Sequence, residues 1–279
     1  MTARLEPGAW TLRLRQLLAV TRLELRKCFR GRRLLGLALL NLAPVAVLLL
    51  GYFVHHQEVA RAATPASLSQ VYAVMFATWM LRVSVFFTAA ALSIQLFRTE
   101  VLEKTLHYYL LAPVRREVMV AGKYLSASLA SSLICGASAA AAYLALFGQL
   151  GHGMGRFFAE GPGVPHLLAY VGVTVIGCFG YGAVFALLGL LWRNPMLAVL
   201  ALFGWESVLF LLPPALKAAT VLFYLESLLP HRPPVGPLAI LADPPPVLAT
   251  IAGMAVFTLV VLALAGWRAR RMEISYSTD

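Results

Sequence analysis

The sequence predicts an all-α polytopic membrane protein. Six transmembrane helices are expected, with an N-terminal amphipathic helix in the membrane surface and a re-entrant outer hairpin between helices five and six. Three observations lead there. The 279 residues are 60% hydrophobic and 13% charged, with a mean hydropathy of +0.79, whereas soluble domains hold about 45–50% apolar and about 25% charged residues. The apolar residues collect into runs long enough to cross about 30 Å of hydrocarbon at about 1.5 Å per residue. The basic residues fall almost wholly on one side of those runs.

Residues 1–33 form a basic N-terminal segment. On a helical wheel Trp10, Leu14, Leu17, Leu18, Leu25, Cys28 and Phe29 share a face, and Arg15, Arg22, Arg26 and Arg30 lie opposite. Such a helix, here spanning Trp10–Arg30, suits the headgroup plane. No secretory signal peptide is read, because the first apolar run begins behind this basic segment.

The transmembrane region, 34–267, holds runs at Leu34–Val54, Val71–Phe97, Tyr124–Leu150, Leu167–Trp192, Met196–Leu212 and Val247–Trp267. Pro44 is expected to kink the first. Small residues in the third and glycines in the fourth suit close helix approach in lipid. The proline-rich stretch 213–246 contains ALKAATVLFYLESLL, apolar but too short to span, which reads as a helix dipping into the outer interface. Residues 268–279 form the tail.

Orientation follows from Lys and Arg. With the N-terminus inside, the outer side keeps only Arg61, Arg156, Lys217 and Arg232, and Arg82 lies within a span. Every other basic residue is then cytoplasmic, as are both termini of a multi-pass protein of the inner (plasma) membrane. This bias accounts for the net charge of +11 without nucleic acid as a partner.

The longest polar interruption, 98–123, joins spans two and three. Glu100–Leu111 suits a short helix, which Ala112-Pro113 ends, and Pro113 fits the first turn of the next helix. A short charged helix between spans can dock into a groove on a soluble partner.

Enzyme chemistry finds little footing. GxxxxGK[ST] is absent, and Gly122-Lys123 is followed by Tyr124, so the chain has no phosphate cradle. Membrane serines such as Ser126, Ser128 and Ser131 lack a histidine at similar depth. Cys28, Cys135 and Cys178 have no ligand spacing. His55, His56, His152, His166 and His231 read as interfacial on the outer side, with no metal geometry. The chain is thus expected to be non-catalytic, with no cofactor or metal.

Two charges lie inside spans: Arg82 in FATWMLRVSVFF and Glu206 in ALFGWESVLF. An ionisable group near the bilayer centre costs about 2.5–3.5 kcal/mol on insertion scales and faces a partner or a wet cavity. The depths of these two differ by about 7 Å. They are expected to pair or to line one cavity. The alternative is that Arg82 snorkels outward and Glu206 bonds locally.

Glu100–Tyr124 resembles the cytoplasmic signature of ABC type-2 permeases, through Thr105-Leu106, Leu110-Leu111, Pro113, Arg116, Gly122 and Lys123. Glu100 stands one place from the family's glutamate, and Lys104 replaces its usual glycine before Thr105. Arg193-Asn194-Pro195 is similar to that family's tight inner turn before helix five. The resemblance implies a permease subunit of an ATP-driven exporter, dimerised with a second copy or a homologous permease. It also implies a separate ABC ATPase subunit that holds ATP and Mg. Glu100, Glu103, Thr105, Leu106, Tyr109, Leu110, Pro113, Arg116 and Lys123 would then form the ATPase-coupling site. The apolar spans lean toward an amphipathic or hydrophobic cargo, and the dispersed Tyr and Trp do not supply a polysaccharide channel. The alternatives from other classes are an ion-coupled secondary transporter using Arg82 and Glu206, and a membrane scaffold without transport.

Overall fold

The computed structural model of the protein describes residues 7–29, 33–62, 64–102, 116–151, 153–192, 195–208, 213–217, 220–233 and 245–270. Among these residues the only regular elements are helices. They are α1 (Pro7–Cys28), α2 (Arg33–Ala62), α3 (Pro65–Met75), a π-helical segment (Phe76–Val85), α4 (Phe86–Leu102), α5 (Arg116–Phe147), a 3₁₀ turn (Gly148–Leu150), α6 (Gly153–Ala159), α7 (Gly163–Leu191), α8 (Pro195–Ser207), α9 (Pro214–Lys217), α10 (Val221–Ser227) and α11 (Val247–Arg270).

Five stretches are long and apolar enough to cross a membrane: Leu34–Val54, Pro65–Leu96, Glu117–Leu150, Gly163–Leu191 and Val247–Arg270. Of the expected fifth span, Met196–Leu212, the described part is α8. Its 13 residues cover only about 20 Å at about 1.5 Å each, and residues 209–212 lie outside the described set. The third helix starts at Arg116 rather than Tyr124, about two turns earlier than its apolar run. Charged residues can extend a membrane helix beyond the hydrocarbon, so hydropathy marks the core of a helix better than its ends.

Local chemistry sets the turn into the second span. Thr64 is the N-cap of α3: its hydroxyl accepts from Ser67 N at 3.2 Å, and Ser67 Oγ accepts from Thr64 N at 3.1 Å. Pro65 occupies the first turn, where a missing amide hydrogen costs nothing. The second span then widens into a π-helix of 10 residues. Such segments are rare beyond one turn, and this one carries Arg82.

α7 is the central helix, packed against α4, α5 and α11, while α1 lies along α5. Small residues bring the central helices close: Ala127 and Ala130 of α5 meet Leu92 and Leu96 of α4 in one buried cluster. Toward the far end of α5, Tyr72, Phe76, Tyr143, Phe147, Phe157 and Tyr170 form an aromatic cluster that is buried rather than channel-lining. Tyr72 donates to Ala139 O at 2.8 Å and Tyr143 to Gly163 O at 3.2 Å, which satisfies two phenols that would be costly to bury alone.

α10 enters the interior. Leu222 and Leu225 are buried, and a Cβ on Gly177, midway along α7, would lie 3.1 Å from Leu225. Val221 sits beside Gly180. The stretch between α8 and α11 therefore reaches the middle of the bundle. α2 and α11 leave Leu39, Phe53, Leu248 and Leu259 exposed, as lipid-facing helices do.

Candidate functional site

Two polar constellations stand out, one at each flank of the functional question: the joint beside the 98–123 connector, and a charge cluster in the interior.

Of the predicted coupling residues, Glu103, Thr105, Leu106, Tyr109, Leu110 and Pro113 lie outside the described residues. Glu100 falls in the last turns of α4 and Arg116 opens α5. Lys123 is described, and its surroundings correct the expectation for it. Its side chain is 1% exposed, because it stands about two turns into α5 on the face that α1 covers. Its ammonium donates to Leu96 O of α4 at 2.7 Å and lies 3.5 Å from Glu24 Oε1 of α1. It points into the protein, not toward a partner.

Glu24 is equally buried and also takes Lys27 at 3.0 Å. Beside it, Thr21 Oγ1 donates to Leu17 O at 2.8 Å and reaches Gly122 O at 3.4 Å. Gly122 allows the approach: a Cβ there would stand 2.7 Å from Val20 Cγ1, closer than atoms tolerate. The apolar face read for α1 thus divides. Leu25 and Cys28 pack against Leu92, Leu96, Ala127 and Ala130 of α4 and α5, while Leu14 and Leu18 stay exposed beside the exposed Arg15 and Arg22. Burial, and secondarily the Glu24 carboxylate, pushes the Cys28 thiol up to about 11. Glu24 was missed by sequence reasoning. The available signal was a lone acid in a basic helix, on the same side of the wheel as Leu17 and Cys28.

α11 closes onto the same end. Its Arg270 pairs with Glu117 in the first turn of α5. α1, the connector's two flanks and the end of α11 therefore share one end of the bundle.

In the interior, Arg82 does not pair with Glu206. Its Nη2 meets Glu226 Oε1 of α10 at 3.1 Å. Glu206, 5% exposed, accepts from the Tyr181 hydroxyl and, at 3.2 Å, from Val221 N at the start of α10. The reason is positional: α10 brings a second carboxylate to the guanidinium, while Glu206 is taken up by the amide that begins α10. Nor does Glu206 bond locally, since its two partners lie 25 and 15 residues away on α7 and α10. The two groups are still linked through α10, whose first amide bonds Glu206 and whose Glu226 pairs with Arg82. Glu226 was legible as the lone acid in ALKAATVLFYLESLL. Tyr181 had no signal among the other aromatics.

A third polar contact ties three spans together: Asn41 Nδ2 donates to Thr88 Oγ1 at 2.9 Å, and Ser138 donates to Asn41 O. Ser84, Ser128 and Ser131 are buried close by in sequence on the same helices.

A family model described as "ABC-2 family transporter protein" matches residues 22–205. The chain belongs to the ABC-2 transporter family. It is a multi-pass membrane permease, a component that in this family is typically non-catalytic and generally works with an ATPase subunit. The matched region includes Glu24, Arg82, the connector and Lys123, and stops one residue before Glu206. Glu226 and α11 lie beyond it. No curated protein matches the permease.

Proposed function

We propose that this permease is the membrane-spanning half of an ATP-driven exporter, working as a dimer with a separate ATPase subunit on each copy. ATP and Mg bind in that partner, and this chain holds no cofactor. The connector 98–123 docks into the ATPase, and closure of the ATPase pair pushes on it, shifting the helices between two packings. The cargo is amphipathic or hydrophobic, because the described spans present few polar groups. The protein lies in the inner (plasma) membrane with six crossings and both termini cytoplasmic. α1 rides in the surface as an elbow, and 213–246 dips in from outside and returns.

The observation that carries this reading is the family membership together with the anchoring of the connector. Its flanks, Leu96 on one side and Lys123 on the other, are bonded to each other, so a push on the connector is delivered into the helical bundle. The bonds of Glu206 to Val221 and of Arg82 to Glu226 support the hairpin, since both draw α10 to the bundle's middle.

Purification of the tagged permease should bring down an ATPase, and reconstituted vesicles should move cargo only with ATP. Glu100→Lys with Glu103→Lys should abolish both. Transport that an uncoupler collapses and ATP does not affect would replace this reading with the ion-coupled one.

A further inference from the structure

The buried ion pair beside the connector has no evident role in a surface anchor. A helix lying on a membrane can be held by its apolar face alone, whereas Glu24 and Lys123 are both 1% exposed. Removing two charges from water costs several kcal/mol per ion unless geometry and hydrogen bonds compensate. Here they do: the ammonium also takes Leu96 O at 2.7 Å, and the carboxylate also takes Lys27 at 3.0 Å. Three chain segments, from α1, α4 and α5, thus meet at one nitrogen. Next to it the contact is tight, with Val20 filling the space over Gly122.

We propose that Glu24, Gly122 and Lys123 form a closed joint that makes α1, the end of α4 and the start of α5 a single moving body. Movement of the connector then carries the elbow helix with it. This rests on the exporter reading and deepens it, assigning Gly122-Lys123 a positioning role: the glycine gives α1 its seat, and the lysine locks it. A non-specific contact would let α1 slide as the connector moves. A desolvated ion pair resists this, because separating its members leaves each charge buried and unpaired.

Cys28, on the last turn of α1, reports on the joint. In a chain with Cys135→Ala and Cys178→Ala it is the only thiol. Its maleimide reaction rate is measured on the purified permease–ATPase complex, nucleotide-free and trapped with ATP and vanadate. The wild-type joint should give the same rate in both states. Lys123→Met should speed the reaction, make it depend on nucleotide state, and cut permease-dependent ATP hydrolysis by roughly 5-fold or more. Glu24→Leu with Lys123→Met leaves no buried charge unpaired and should recover folding stability, but without the ion pair the Cys28 rate should stay dependent on nucleotide state and hydrolysis should stay reduced. If Lys123→Met does not fold, Glu24→Gln, which keeps an acceptor for the ammonium, should show the same changes at smaller amplitude.

A wild-type rate that changes with nucleotide overturns the joint. So does a folded Lys123→Met complex with unaltered rate and hydrolysis, or a double variant whose Cys28 rate is the same in both nucleotide states and whose hydrolysis is normal. If no ATPase accompanies the wild-type chain, the exporter reading fails and the joint falls with it.

Discussion

Arg82 Nη2 and Glu226 Oε1 stand 3.1 Å apart and connect the π-helical part of the second span to α10. Both side chains are less than a third exposed, at 29% and 25%, so solvent screens this pair less than a surface pair. A double-mutant cycle with Arg82→Gln and Glu226→Gln should give a coupling of about 1–2 kcal/mol in detergent unfolding. The cycle pairing Arg82→Gln with Glu206→Gln should give clearly less. Equal coupling in both cycles would mean that the guanidinium is shared rather than committed to α10.

Glu206 is expected to matter mainly to the seating of α10. Glu206→Ala leaves the Tyr181 hydroxyl and Val221 N without their acceptor, at a cost of about 2–5 kcal/mol. Tyr181→Phe removes one of the two bonds and should cost less. Denaturant midpoints of the two variants test the order, and a larger loss for Tyr181→Phe would contradict it.

Gly122 has no room for a methyl group. Gly122→Ala should destabilise by about 1–3 kcal/mol through overpacking against Val20. Val20→Ala in the same chain should recover most of that loss. Thermal unfolding of the two singles and the double decides it, since additive losses would place the clash elsewhere.

Cys28 should behave as a poor nucleophile. With its thiol pushed up to about 11, the protonated form is favoured and little thiolate exists at pH 7–8. The alkylation rate should climb until about pH 11, where an ordinary thiol levels off near 9. Cys135 and Cys178, both fully buried, should react only on unfolding. A Cys28 midpoint near the ordinary value would show that α1 does not bury it.

Some of this was legible before any coordinates. Long apolar runs gave five of the six expected spans to within about two turns, and the connector signature gave the family. Hydropathy alone missed the first two turns of α5, because the polar residues from Arg116 to Lys123 lower it while still forming helix, whereas the placing of Pro113 in a first turn pointed to helix there. Of the run Met196–Leu212 the described helix reaches Ser207, and 209–212 lie outside the described residues, so that crossing stands as a proposal. The coupling residues from Glu103 to Pro113 lie outside the described residues, so their docking stands as a proposal.

The sequence alone determined that the chain is helical, membrane-embedded and a permease of its family. Those properties are local: they follow from composition, run length and the order of residues along a short connector. Only the tertiary structure decided the polar partners. Depth along a helix can be counted from the sequence, and that count matched Arg82 with Glu206. Rotation about the helix axis and the entry of α10 cannot be counted. They turned Arg82 to Glu226, Glu206 to Tyr181 and Val221, and Lys123 inward to Glu24. A buried charge is satisfied by whichever partner packing brings within about 3 Å, so the pairing is a property of the assembled bundle.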